Sequence, residues 1–140
     1  MKIEEPLLAL LRKPVVALIA RVLLTLPFWT NGLARLANFE AGIAEMEAFG
    51  LPYGALINGL VILSNLLGAG LVIARRWTWL GAGVLAGFTL ATIVVVHRFW
   101  AFEGVAATRA LHVAFEHVGI IGGLVLATIL DSGDREREYG

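Results

Sequence analysis

Cysteine is absent from this 140-residue chain. That excludes disulfide staples, thiol–disulfide catalysis, a thiolate-bound iron–sulfur cluster and a cysteine zinc site. Charge is scarce as well. Only 16% of the residues are Asp, Glu, Lys or Arg and the formal net charge is zero, so no basic surface offers itself to nucleic acid. No serine–histidine–aspartate arrangement, phosphate-cradling glycine loop or dinucleotide fingerprint is present, and the glycine-rich runs sit inside apolar stretches. A cleavable signal peptide is not expected either: Glu4 and Glu5 spoil the positive start, and Arg12 and Lys13 interrupt the apolar run. A redox role would therefore need a bound non-protein group or a partner.

What the chain has in excess is apolar surface. It is 59% hydrophobic, with a mean hydropathy of +0.82, against about 45–50% apolar for soluble domains. The expected solvent is a lipid bilayer, which takes about 20 residues of helix to cross. Four stretches meet that length, at about residues 14–36, 52–74, 77–99 and 109–130. Backbone groups in hydrocarbon must be satisfied within their own segment, and no period-2 alternation suggests strands. The predicted fold is an all-α, four-helix transmembrane bundle in a single domain over 1–140, with 131–140 a polar, frayed cytoplasmic tail.

Between the first two helices, Phe39, Ile43, Met46 and Phe49 alternate at 3–4 spacing with Glu40, Glu45 and Glu47, the pattern of a short interfacial amphipathic helix. Pro27 is expected to kink the first helix, and Arg75–Arg76 to mark a very short turn. Seven Lys and Arg on one side against three on the other place both termini in the cytoplasm. Trp29, Trp77, Trp79 and Trp100 stand at helix ends as interfacial anchors. The pairs Ser64/Gly68, Gly83/Gly87 and Gly119/Gly123 have the small-xxx-small spacing that lets helices pack closely.

Polar residues in the apolar runs are the candidate site. Arg21, two turns into the first helix, either snorkels or meets a partner inside the bundle. Asn58 and Asn65 share a face of the second helix, where interhelical hydrogen bonding is the plain role and orientation of a ligand carbonyl the sharper one for Asn65. On the last helix His112 and Glu116 are four apart, on the face that Gly119 and Gly123 continue, so they are expected to point inward and to be able to exchange protons. The competing expectation is that they sit among the outer headgroups. His117 is expected to point elsewhere. His97 and Trp100, in "HRFW", end the third helix on the same side, where His97 could approach His112. A haem or metal is disfavoured, because no His-box or repeated His pair appears.

The order of these features resembles the DoxX family of small membrane proteins. "ARVLLTLPFWTNGLARL" is similar to its first helix through Arg21, Phe28, Gly32 and Arg35. "FEAGIAEMEAFGLP" resembles its amphipathic link, "SNLLGAGLVIARRW" its second helix and turn, "HRFW" its His-x-Phe-Trp signature, and "EHVGIIGGLVLA" its last helix. The resemblance implies a four-helix protein of the bacterial cytoplasmic membrane. It further implies a quinone-linked or redox-complex subunit acting with a soluble or membrane partner. Relatives often carry a Glu where Asn65 stands and an Asn where Glu116 or His117 stands, so Glu116 could be the acidic partner of Arg21 here. In that reading Arg21 and Asn65 orient a quinone, Glu116 and His112 exchange protons with it, and His97 and Trp100 shape the mouth. The alternatives are a non-enzymatic anchor or assembly partner, or a transporter of protons or a small solute that would have to form homo-oligomers.

Overall fold

The structure, a computed structural model, describes the backbone of residues 4–139 and the side chains of residues 4–134. All regular elements among the described residues are helical: α1 (Glu4–Leu11), α2 (Pro14–Leu24), α3 (Leu26–Ala37), α4 (Phe39–Ala48), α5 (Gly54–Ile73), α6 (Thr78–Val95), a 3-10 turn (Phe99–Ala101) and α7 (Gly104–Tyr139). Three segments, Gly54–Ile73, Thr78–Ala101 and Gly104–Asp134, are long and apolar enough to cross a membrane, and the bent pair α2–α3 makes a fourth if it is one span. Large apolar side chains are exposed along the outside of every long helix, Leu23, Leu63, Val94 and Leu126 among them. A contiguous apolar coat of that kind suits lipid rather than water.

The first apolar run breaks at Thr25 and bends by 56°. Pro27 causes it, since it has no N–H for the carbonyl of Leu23 and its ring crowds that carbonyl. A helix opened at membrane depth must re-satisfy its freed groups. The Trp29 indole does so for the Val22 carbonyl at 3.2 Å, while the Arg21 carbonyl accepts both the Thr25 N–H, at 3.0 Å, and its hydroxyl, at 2.8 Å. Thr25 is fully buried.

Two helices end in the same six-residue hydrogen-bond pattern with different residues at its left-handed position. α4 uses Gly50, φ 73°, with Gly50 N–H donating to Glu47 and Leu51 N–H to Met46. α5 uses Arg75, φ 56°, with Arg75 N–H donating to Val72 and Arg76 N–H to Leu71. A side chain in that region costs about 1–2 kcal/mol, so something else must hold Arg75 there. Its ion pairs, described below, do so.

The core joins Phe28 of α3, Ala69 and Val72 of α5, Ala82 and Leu85 of α6, and Leu124 of α7. Close approach of α5 and α6 is made by Gly68 and Gly81: a Cβ added to Gly81 would lie 2.7 Å from the Gly68 carbonyl oxygen. Of the predicted small-residue positions, Gly68 packs against Leu85 and Gly123 against Leu24, but Gly83, Gly87 and Gly119 face open space. Spacing alone does not give helical phase when the whole helix is apolar. Gly81→Ala should therefore destabilise by about 1–3 kcal/mol through forced separation of backbones, while Gly83→Ala leaves thermal unfolding in detergent unchanged or slightly raised. Equal melting temperatures for the two variants would contradict this crossing.

α7 differs from expectation at both ends. It begins at Gly104, φ 58°, and runs on through the polar segment to Tyr139, so the helix continues where a frayed tail was expected. Its 36 residues make about 54 Å at 1.5 Å each, well beyond a hydrocarbon core of about 30 Å.

Candidate functional site

Charge inside the bundle gathers at two places, and neither uses the Glu116 carboxylate. At the end bearing the Arg75–Arg76 turn, Asp131 of α7 is buried and receives three donors. Arg21 of α2 forms an ion pair with its Oδ1, Arg75 donates Nε to the same oxygen at 3.0 Å, and the Thr78 hydroxyl donates to Oδ2. Arg75 also donates Nη2 to Asp134 at 2.6 Å. Arg21 reaches back with Nη1 to the Ala17 carbonyl at 3.3 Å, while its Nε is buried without a partner. For Arg75, burial opposes the charge, but hydrogen bonds and attraction from Asp134 and Asp131 outweigh it and raise its pKa above the ordinary value. The cluster ties α2, the α5–α6 turn and α7 together.

Arg21 thus neither snorkels nor meets Glu116. The cause is helical phase. The inward residues of α7 are Ala110, Ala114, Leu124, Ala127 and Asp131, at spacings that bring His117 onto the same side. His112 and Glu116 lie outside that stripe and are exposed. The small alanines mark the buried stripe, with Gly123 packed beside it against Leu24, and following them would have led to Asp131 and His117.

The second place is a cavity of about 470 Å³ between α3, α4, α5, α6 and α7. Its walls include Phe28, Met46, Phe49, Ile57, Val61, Phe88 and Ile120, and Phe28 meets Phe88 edge-on with ring centroids 6.3 Å apart. Polar groups enter from two directions. From α3, Asn31 and Arg35 line it, with Glu45 of α4. Arg35 donates Nε to Asn31 Oδ1 at 3.2 Å and Nη1 to Asn58 Oδ1 at 2.9 Å, and forms an ion pair with Glu45. Asn58 in turn donates Nδ2 to the Phe39 carbonyl at 3.3 Å, and its amide presses against Gly42, where any Cβ would lie 2.3–2.6 Å from it. Arg35 and Asn58 thereby hold α4 across the opening.

From the other direction come His97, just past the end of α6, and His117 of α7, with ring centroids 5.0 Å apart and planes at 70°. His117 Nδ1 is buried and has no hydrogen-bond partner. A buried ring nitrogen in that condition is costly unless something fills the bond. His97 therefore approaches His117 and not His112. No cluster of three or more His, Cys, Asp or Glu suited to a metal exists among the described residues.

Of the other sequence candidates, Asn65 is fully buried with both amide atoms unpartnered, yet it lies outside the cavity wall. Trp100 is 57% exposed, stacks edge-on against Phe99, and also stays outside. Only His97 of the six predicted site residues lines the cavity. Arg35, Glu45 and His117 were in plain view, but nothing local marked them as convergent.

A family model described as DoxX matches residues 16–98, from α2 to just past α6. Inner membrane protein YphA of Escherichia coli (strain K12) is 26% identical over 121 residues, covering 86% of this chain and 86% of that protein. No solved structure matches.

Proposed function

This integral membrane protein belongs to the DoxX family, and we propose that it is a quinone-linked subunit of a redox system in a bacterial cytoplasmic membrane, with the α3–α7 cavity as its ligand site. α2–α3 counts as one broken span, giving four, and α4 lies at the interface above the cavity. The excess of Lys and Arg on the Arg75 side supports a cytoplasmic location for that side and for both termini.

One observation carries the reading: an apolar, aromatic-walled cavity of about 470 Å³ whose buried His117 Nδ1 lacks a partner. That volume is within the usual range for small-molecule sites, which are mostly apolar with a few placed polar groups. Phe28 and Phe88 offer faces and edges to a planar ring. His117 and Arg35 are the groups able to meet a ring carbonyl or hydroxyl, and His117 with His97 can hold or pass a proton. In this reading electrons come from a redox partner.

The test is titration of a short-chain quinone into the protein in lipid nanodiscs, followed by tryptophan fluorescence. Saturable binding is expected, weakened about tenfold in His117→Phe, the loss that about 1.4 kcal/mol of hydrogen bonding gives. Absence of saturation in the unaltered protein would remove this reading. It would leave an anchor or assembly partner, for which the Arg21–Asp131–Arg75 cluster, joining three elements, already provides rigidity.

A further inference from the structure

A second hollow, of about 580 Å³, runs along the outer surface between α5 and α6. Ile57, Val61, Phe88 and Ala91 line both it and the ligand cavity. The two therefore border each other at these four residues. From Ile57 to Leu71 the groove follows 15 residues of α5, about 21 Å at 1.5 Å for each step between them. Its rims are Leu60, Leu63 and Leu67, each more than half exposed. Its floor is low at Gly87, where an added Cβ would meet no atom within 4 Å. The lone hydroxyl there, Ser64, donates to its own helix at Val61. Nothing in the groove can recognise a polar group.

We propose that this α5–α6 groove is the subsite for the long apolar chain of an amphiphilic ligand whose ring occupies the cavity. The inference rests on the quinone reading and adds the ligand class: a ring bearing an isoprenoid or comparable hydrocarbon tail, not a free aromatic solute. Gly87 had the spacing of a helix-packing residue, but no helix packs on it; an added Cβ there meets no atom within 4 Å. Bulk lipid is as apolar as the tail, so the groove gains little by hydrophobicity. A tail tethered to a docked ring instead enters at a high effective concentration and outcompetes free chains.

Filling the groove separates tail from ring. Gly87→Leu meets open space and a helix interior tolerates leucine better than glycine, so folding is retained; Val84→Trp is a second blocking variant. Two probes are titrated in nanodiscs: a chainless quinone and the same ring carrying a long hydrocarbon chain. The chainless probe should bind both blocked variants as it binds the unaltered protein, while the chain-bearing probe loses about tenfold, the scale of overfilling a packed site. A diazirine at the far end of the chain should label α5 and α6 near Leu71 and Leu80, and unlabelled chain-bearing quinone should compete that label away. Equal binding of the chain-bearing probe to all three proteins, or labelling that bulk lipid competes equally, would overturn the tail subsite and leave the ring site standing. Disulfide-linked dimers of Gly87→Cys in native membranes would overturn it too, assigning the groove to a second copy. Failure of the chainless probe to bind the unaltered protein would instead fell the ring site.

Discussion

Asp131→Asn should lower the stability of the folded protein by about 3–5 kcal/mol, the effect of leaving a buried charge without its partner. Asparagine keeps the shape and can still accept from Thr78, but Arg21, 8% exposed, would then have no carboxylate partner among the described residues. Arg75 would retain Asp134 while losing the contact that helps hold its left-handed backbone. The double variant Arg21→Met/Asp131→Leu should recover most of the loss, since replacing both members of a buried pair by apolar residues is often neutral. Thermal unfolding in detergent of the two single variants and the double variant measures the coupling. Additive losses would mean that Arg21 and Asp131 do not depend on each other.

Arg35→Met should have the next largest effect, about 1–3 kcal/mol, because it strands the buried Asn58 Oδ1. Arg35 is the one side chain that reaches Asn31, Asn58 and Glu45 together, so its loss unfastens α4 from α3 and α5. Faster hydrogen exchange in Phe39–Ala48, with the rest of the bundle unchanged, is the expected signature, and quinone affinity should fall alongside it. Glu45→Gln should be milder, within about 1 kcal/mol, since that carboxylate is 48% exposed and its ion pair is screened. Unaltered exchange in α4 of Arg35→Met would show that the helix is held by Gly42 and Met46 packing alone.

The difference between these two arginines shows how far a linear reading reaches. Arg21 stood out because charge is rare in an apolar run, and a partner inside the bundle was one of the two expectations beside snorkelling. Its partner was not legible. Asp131 sits where apolar sequence gives way to "DSGDRERE", and a carboxylate at such a border reads as solvated. Glu116 and His112 looked inward because two glycines continued their face. In α7, however, Gly119 lies on the exposed side, Gly123 packs against Leu24 of α2, and Ala110, Ala114 and Ala127 are the buried small residues. Asn58 behaved as an interhelical hydrogen-bonding residue, while Asn65, read the same way, has both amide atoms unpartnered.

Composition and run length by themselves determined that this is an all-helical membrane protein, that the first run bends near Pro27, and that α5 and α6 are antiparallel neighbours. Those properties follow from solvent preference and from chain covalency, both of which are local. Which face of each helix turns inward was decided only by the tertiary structure. In water an apolar stripe reveals the inner face, but in lipid both faces are apolar and hydrophobicity carries no phase. Rotation of α7 therefore had to come from shape and from the few buried charges. It set Asp131 beside Arg21, His117 beside His97, and left Glu116 outside.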